Sequence, residues 1–177
     1  MGVNEKAARI TTLMLDADGV LTDGTLYYDS KGEALKRFDV RDGSSLKWLQ
    51  RAGLRIVILT GRTSPQLDAR MTELEVEEVI QGAVIKLPVF LEFLEKQKLD
   101  PKEIAYMGDD LHDLTVMRRV GLSMAPADAV PEVIERADYV TRAKGGAGAV
   151  REAAELILKA SGKWEEVTVQ LAEKTQA

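Results

Sequence analysis

The sequence predicts an α/β fold: a Rossmann-like, three-layer domain built on a parallel sheet with helices on both faces. Two observations carry this expectation. Short apolar runs of strand length alternate with segments of helical period along the chain, the pattern of a sheet whose strands are buried on both sides. Acid-rich or hydroxyl-bearing loops follow directly on several of those runs, at the strand ends where such sheets place their ligands.

Residues 10–15 read as the first buried strand, followed by a Gly- and Asp-rich loop. Segments 25–28 and 35–40 flank the turn cluster Asp29-Ser30-Lys31-Gly32, so about 25–40 reads as an inserted β-hairpin. Residues 42–52 have helical spacing, with Leu46 and Leu49 three apart and Gly53 placed to end the helix. RIVIL, 55–59, is the second buried strand. Ser64-Pro65 makes a cap and first-turn pair for a helix to about Leu74. A short strand at 79–80 precedes a helix over about 87–98, with Phe90, Phe93 and Leu94 on one face and Pro88 in its first turn. Residues 104–107 form the next strand, and about 111–120 the next helix, stopped by Gly121. Segments 122–124, 130–137 and 139–140 continue the alternation, and 148–160 is the last helix. About 163–177 reads as a polar tail. Neither an internal repeat nor a linker divides the chain, which is expected to be a single domain over 1–177.

Composition narrows the chemistry. There is no cysteine, which excludes disulfides, thiol nucleophiles and thiolate zinc sites. With one histidine, acid–base work falls to carboxylates and lysine. A net charge of −5 argues against a nucleic-acid partner, yet a bound metal and a few placed cations can still receive an anionic substrate. No apolar run is long enough to span a membrane, and the opening MGVNEKAARITT lacks the apolar core of a secretory signal. A cytoplasmic location is expected.

The candidate site residues stand at the predicted strand ends. Asp16 and Asp18 follow the first strand, Thr60 the second, and Asp109, Asp110 and Asp113 the fourth, while Lys86 opens the helix after the third. In extended chain, residues two apart point the same way, so one carboxylate of the Asp16/Asp18 pair can attack phosphorus while the other handles the proton. An oxygen-only donor set suits Mg²⁺: Asp109 is assigned as ligand, with Asp110 and Asp113 either as ligands or as groups that orient them. Helix capping accounts for one of these three acids. Thr60 and Lys86 can donate to the oxygens of a transferring phosphoryl group. Arg62 offers a bidentate fork to an anion beside it, and Arg70, two turns into the next helix, is a second such candidate. His112 is read as a partly exposed helix residue, and Trp48 and Trp164 as packing and tail contacts.

The motifs D16-A-D-G-V-L-T-D-G24, L59-T-G-R62, Lys86 and G108-D-D-x-x-D113 resemble those of the haloacid dehalogenase superfamily of phosphatases, over residues 10 to about 160. Within it, R41-D-G43, Q81-G82, A137-D-Y-V-T-R142, G145-G146 and G148-A-V-R-E152 resemble the 3-deoxy-D-manno-octulosonate 8-phosphate phosphatases. That resemblance implies a haloacid dehalogenase-like fold and a homotetrameric, Mg²⁺-dependent enzyme of lipopolysaccharide sugar synthesis. It also implies Asp16 as nucleophile and Asp18 as acid/base. The metal ligands would be Asp16, the Asp18 carbonyl and Asp109, and the phosphate binders Thr60, with Gly61 beside it, and Lys86. Ala147 stands where some members carry Arg.

The intervals 19–59, 61–85 and 87–108 leave no room for an inserted domain of ~50 residues, so the core is expected to be capless. The hairpin of a neighbouring subunit is expected to cover the site in part, with Tyr27, Tyr28 and Phe38 as interface aromatics. The similar deoxynononulosonate 9-phosphate phosphatases tend to carry Glu after Thr-Gly, so the resemblance implies that Arg62 favours the eight-carbon sugar acid. An alternative of another class is a receiver-type phospho-acceptor domain. Against it, Asp18 would shorten the life of the phospho-aspartate a switch requires.

Overall fold

The computed structural model describes residues 1–173. Its centre is a six-stranded, all-parallel sheet in the order β5-β4-β1-β6-β7-β8. The strands are β1 (Thr12–Leu15), β4 (Arg55–Leu59), β5 (Glu78–Ile80), β6 (Ile104–Met107), β7 (Leu122–Ala125) and β8 (Tyr139–Val140). A separate antiparallel pair, β2 (Tyr27–Asp29) and β3 (Gly32–Leu35), forms the hairpin. The helices are α1 (Val3–Ala7), α2 (Val40–Arg51), α3 (Pro65–Glu73), α4 (Lys86–Gln97), α5 (Leu114–Met117), α6 (Pro131–Ile134), α7 (Ala149–Ala160) and α8 (Trp164–Glu173).

Every residue of β1, β6 and β7 is buried, which is why these strands read as continuous apolar runs. Successive side chains serve opposite faces. Leu13 and Leu15 join Leu46 and Leu49 of α2 and Ile157 of α7 on one side; Met14 joins Phe90 of α4 and Val116 of α5 on the other. A capless core is what the described residues show: the interval 19–59 holds only the hairpin, α2 and β4.

Four expectations are corrected. The hairpin's return strand was placed at 35–40, but β3 is Gly32–Leu35. Asp39 caps the next helix, accepting from the Arg41 N–H at 2.7 Å, so α2 begins at Val40 and draws 36–39 out of the pairing. The helix expected over 111–120 is a 3-10 turn, Leu111–Asp113, followed by the single turn of α5. Asp113 folds back onto the backbone N–H groups of Asp109 and Asp110, tightening the start. An N-terminal helix, α1, precedes the first strand.

The tail is the fourth. Residues 164–173 are α8, while 174–177 lie outside the described residues. Trp164 meets Trp48 edge-on at 6.0 Å, the Arg151 guanidinium lies 3.9 Å over Trp48, and Val167 is buried. Trp164, Val167 and Leu171 fall at helical spacing, a signal masked by the charged residues between them.

Candidate active site

The sheet order makes β1 central, with the chain winding outward to β4 on one side and β6 on the other. Such a switch point opens a crevice at the carboxyl ends of the strands. There a cavity of ≈ 530 Å³ is lined by Asp16, Asp18, Gly19, Gly24, Thr60, Gly61, Arg62, Val84, Asp109, Asp110 and His112.

Asp16 extends the ladder of β1, its N–H donating to the Met107 carbonyl at 3.0 Å. Its carboxylate is almost fully buried. Oδ1 accepts from the Ala17 N–H at 2.7 Å, and Oδ2 lies 2.8 Å from Lys86 Nζ and 3.6 Å from His112 Nε2. Burial pushes the Asp16 carboxyl up, but the nearby His112 imidazole and the Lys86 ammonium outweigh it and hold the group below its ordinary value. Asp16 is therefore ionised. The same contact raises His112.

Lys86, the first residue of α4, is fully buried. Besides Asp16, its Nζ donates to Asp113 Oδ1 at 2.6 Å and to the Tyr106 hydroxyl at 3.1 Å. Tyr106, from the middle of β6, donates its own O–H to Asp113 Oδ1 at 2.6 Å. Asp113 Oδ2 accepts from the N–H groups of Asp109 (3.0 Å) and Asp110 (3.2 Å). Gly108 permits this approach, since a Cβ there would stand 2.4 Å from Asp113 Cβ. Asp113 is thus satisfied entirely by the protein.

Asp109 is not. Its Oδ1 is the one buried side-chain oxygen among the described residues with no hydrogen-bond partner. Burial, then the Asp16 and Asp113 charges, push its carboxyl up to about 7. Gly19, at φ +83°, brings the loop after β1 against it; a Cβ there would sit 2.0 Å from Asp109 Oδ2. Two carboxylates lining one cavity, close enough for the Asp16 charge to raise Asp109 and one of them with an orphaned oxygen, fit a hard divalent cation such as Mg²⁺. Asp16, His112 and Asp113 also cluster closely enough to suggest a ligand set. Asp113 is already saturated, so the orphaned Asp109 oxygen makes Asp16 and Asp109 the better pair.

At the outer rim, the hairpin reaches its own chain's site. Lys36, just past β3, pairs with Asp18 Oδ1, while Arg62 Nε lies 3.6 Å from Asp18 Oδ2. Arg62 Nη2 donates to the Tyr28 hydroxyl at 3.0 Å.

The haloacid dehalogenase-like hydrolase family matches residues 78–152. The 3-deoxy-D-manno-octulosonate 8-phosphate phosphatase of Escherichia coli K12 is 47% identical over 165 residues, 93% of this chain and 88% of that one. The chain belongs to that family of haloacid dehalogenase-like hydrolases. Solved structures agree. The Yersinia pestis enzyme superposes with a TM-score of 0.90 at 45% identity, covering 92% of this chain and 88% of that one. The Moraxella catarrhalis enzyme, solved in complex with magnesium, phosphate and KDO, gives 0.92 at 36%, covering 96% and 97%.

Within this family frame, Asp16, Asp18, Thr60, Gly61, Arg62 and Asp109 all line the cavity, and Lys86 supports it from beneath. Arg70 does not join them. Its side chain is largely buried, packs into the space left by Gly43 of α2 and pairs with Glu73 at 2.8 Å. Asp113 belongs to Lys86, and half-exposed Asp110 caps the following turn through Leu111 N–H. Phe38 packs on its own chain's core, whereas Tyr27 and Tyr28 stay exposed.

Three contributors escaped the sequence reading. His112, read as a partly exposed helix residue with no part in the site, is partly exposed but lines the cavity; its place one helical turn after Asp109 is the available signal. Tyr106 looked like one more core residue of its strand. Lys36 carried no local signal, because its partner lies 18 residues away.

Proposed function

We propose that this chain hydrolyses 3-deoxy-D-manno-octulosonate 8-phosphate to the free sugar acid and phosphate, as a Mg²⁺-dependent phosphatase of lipopolysaccharide precursor synthesis. The single observation that carries the site assignment is the pairing of an ionised, Lys86-tied Asp16 with an Asp109 oxygen left without a partner. Similarity to the named phosphatases over nearly the whole chain supports the substrate.

An oxygen of Asp16 attacks phosphorus, and the bond to the sugar oxygen breaks as Asp18 protonates that oxygen. Asp18 then takes a proton from the water that cleaves the aspartyl-phosphate. Thr60 and Gly61, which line the cavity, would bind the phosphoryl oxygens, and Lys86 holds Asp16 through its ammonium. Asp16, the Asp18 carbonyl and Asp109 would hold Mg²⁺, which would supply neutralisation of the phosphoryl charge. Arg62 offers its fork to the sugar-acid carboxylate.

The chain is read as one catalytic domain with a hairpin insertion, acting as a homo-oligomer, a tetramer, in the cytoplasm. Leu26, Tyr27, Tyr28 and Leu35 on the hairpin and Val84 and Ile85 by the cavity are exposed apolar groups that suit an interface. No helix among the described residues is long and apolar enough to cross a membrane. A fully active monomer by light scattering would contradict the oligomer.

The activity is tested by phosphate release from 3-deoxy-D-manno-octulosonate 8-phosphate and deoxynononulosonate 9-phosphate with Mg²⁺ or EDTA. The expected result is Mg²⁺-dependent turnover with preference for the eight-carbon substrate. Equal or reversed preference overturns the substrate reading. A long-lived phospho-Asp16 without turnover overturns the phosphatase reading.

A further inference from the structure

The structure assigns Lys36 as a positioning residue for Asp18: an ammonium carried by the hairpin that fixes the acid/base carboxylate of its own chain. The inference rests on the reading of Asp18 as the proton-transfer group.

Lys36 is unlike the rest of its segment. Arg37, beside it, stands 57% exposed and reaches Asp23 only at 3.4 Å, whereas the Lys36 side chain is 2% exposed. Burying an ammonium costs several kcal/mol unless a counter-charge meets it. Here the counter-charge is Asp18 Oδ1. The other oxygen, Oδ2, faces Arg62, which is itself held by the Tyr28 hydroxyl from β2. The hairpin thus grips the Asp18–Arg62 pair from both sides, through Tyr28 on the outgoing strand and Lys36 just past the return strand.

This gives each carboxylate of the Asp16/Asp18 pair its own lysine. Lys86, at the start of α4, pairs with Asp16, and Lys36, just past β3, pairs with Asp18. Two carboxylates so close in sequence, each tied to a different element, are kept in separate orientations. One faces phosphorus, and the other faces the leaving-group side. Lys36 gives and takes no proton in this scheme. It sets where the Asp18 oxygens stand when the proton moves, a contribution that appears in turnover and not in substrate affinity.

The test compares wild type with Lys36→Met, which keeps the length and removes the charge, and with Lys36→Arg, which restores it. With 3-deoxy-D-manno-octulosonate 8-phosphate at saturating Mg²⁺, Lys36→Met is expected to lower kcat by about 10–100-fold while KM stays within about threefold, and Lys36→Arg to recover part of the loss. 4-Nitrophenyl phosphate separates the two steps, because its leaving group needs no proton but the phospho-Asp16 still needs a base. Lys36→Met should release the first equivalent of nitrophenolate at nearly the wild-type rate and then turn over slowly. A raised KM with unchanged kcat would make Lys36 a substrate contact and overturn the assignment. An equal loss in the first turnover, or no loss anywhere, would overturn it too. If wild type fails on the sugar-acid phosphate, the substrate reading falls, and the burst with 4-nitrophenyl phosphate still decides the role of Lys36.

Discussion

Asp109 and Asp113 stand one helical turn apart on the same loop, both with oxygens taken out of water, and they meet opposite fates. Asp113 receives an ammonium, a phenol and two backbone N–H groups. Asp109 keeps one buried oxygen with no donor at all. A buried carboxylate must be compensated or neutralised. The protein does this internally for Asp113, directing to it the Lys86 ammonium that it shares with Asp16, and leaves Asp109 to be compensated from outside. The first carboxylate builds the floor of the site; the second makes a place for a cation.

Breaking the internal compensation should have the largest effect. Lys86→Met leaves Asp113 and Asp16 buried without their shared cation. Removing one partner of a buried pair costs about 3–5 kcal/mol, so denaturant unfolding should register a loss of that order, with phosphate release lost as well. A variant that loses activity but keeps wild-type stability would show that Asp113 is not anchored by Lys86, and the contrast with Asp109 would collapse.

Asp109→Asn probes the other side. It should abolish the Mg²⁺-induced rise in thermal stability together with activity. In EDTA the sign reverses. The Asp109 carboxyl is raised from 3.8 to about 7 in the folded chain, by burial and then by Asp16 and Asp113. A native acid with a raised pKa binds more protons than the unfolded chain between those values, so metal-free protein loses stability as pH rises through that window. Asn lacks this titration. The variant should therefore gain on wild type from pH 5 to pH 8 in thermal melts without metal. A parallel pH dependence of the two proteins would mean that Asp109 is compensated by some other group.

How far this division could be read from the sequence follows from the range of the interactions. Strands such as 55–59 and 104–107 were placed to the residue, because burial on both faces leaves a local, continuous apolar signature. The acids were found by their places after strands. So was Lys86, but as a phosphate binder; its pairing with the acids was not, since it lies 27 residues from Asp113, and Lys36, 18 from Asp18, was missed altogether. Local pattern marks Asp109, Asp110 and Asp113 alike as possible ligands; only the approach of Lys86 and Tyr106 separates them. Arg70 shows the converse. Its spacing after Arg62 suggested a second anion grip, but the missing side chain of Gly43, on a different helix, gives it a place in the packing instead.

The smallest effect is expected at Tyr106. Tyr106→Phe removes one of four donors to Asp113 and leaves Lys86 and both backbone N–H groups in place. It also removes the hydroxyl that accepts one Lys86 hydrogen bond, but Lys86 keeps both carboxylates, so two such losses cost about 2 kcal/mol. The phenol is buried beside Asp113, and burial first, then that negative charge, raise it well above its ordinary value. It therefore stays protonated and donating across the working pH range, and the cost should be independent of pH. Phosphate release should fall by no more than a few fold, because Asp16 keeps its contact with Lys86. Unfolding curves and turnover at pH 6 and pH 9 check both points together. A Tyr106→Phe loss as large as that of Lys86→Met would make the phenol, not the ammonium, the anchor of Asp113.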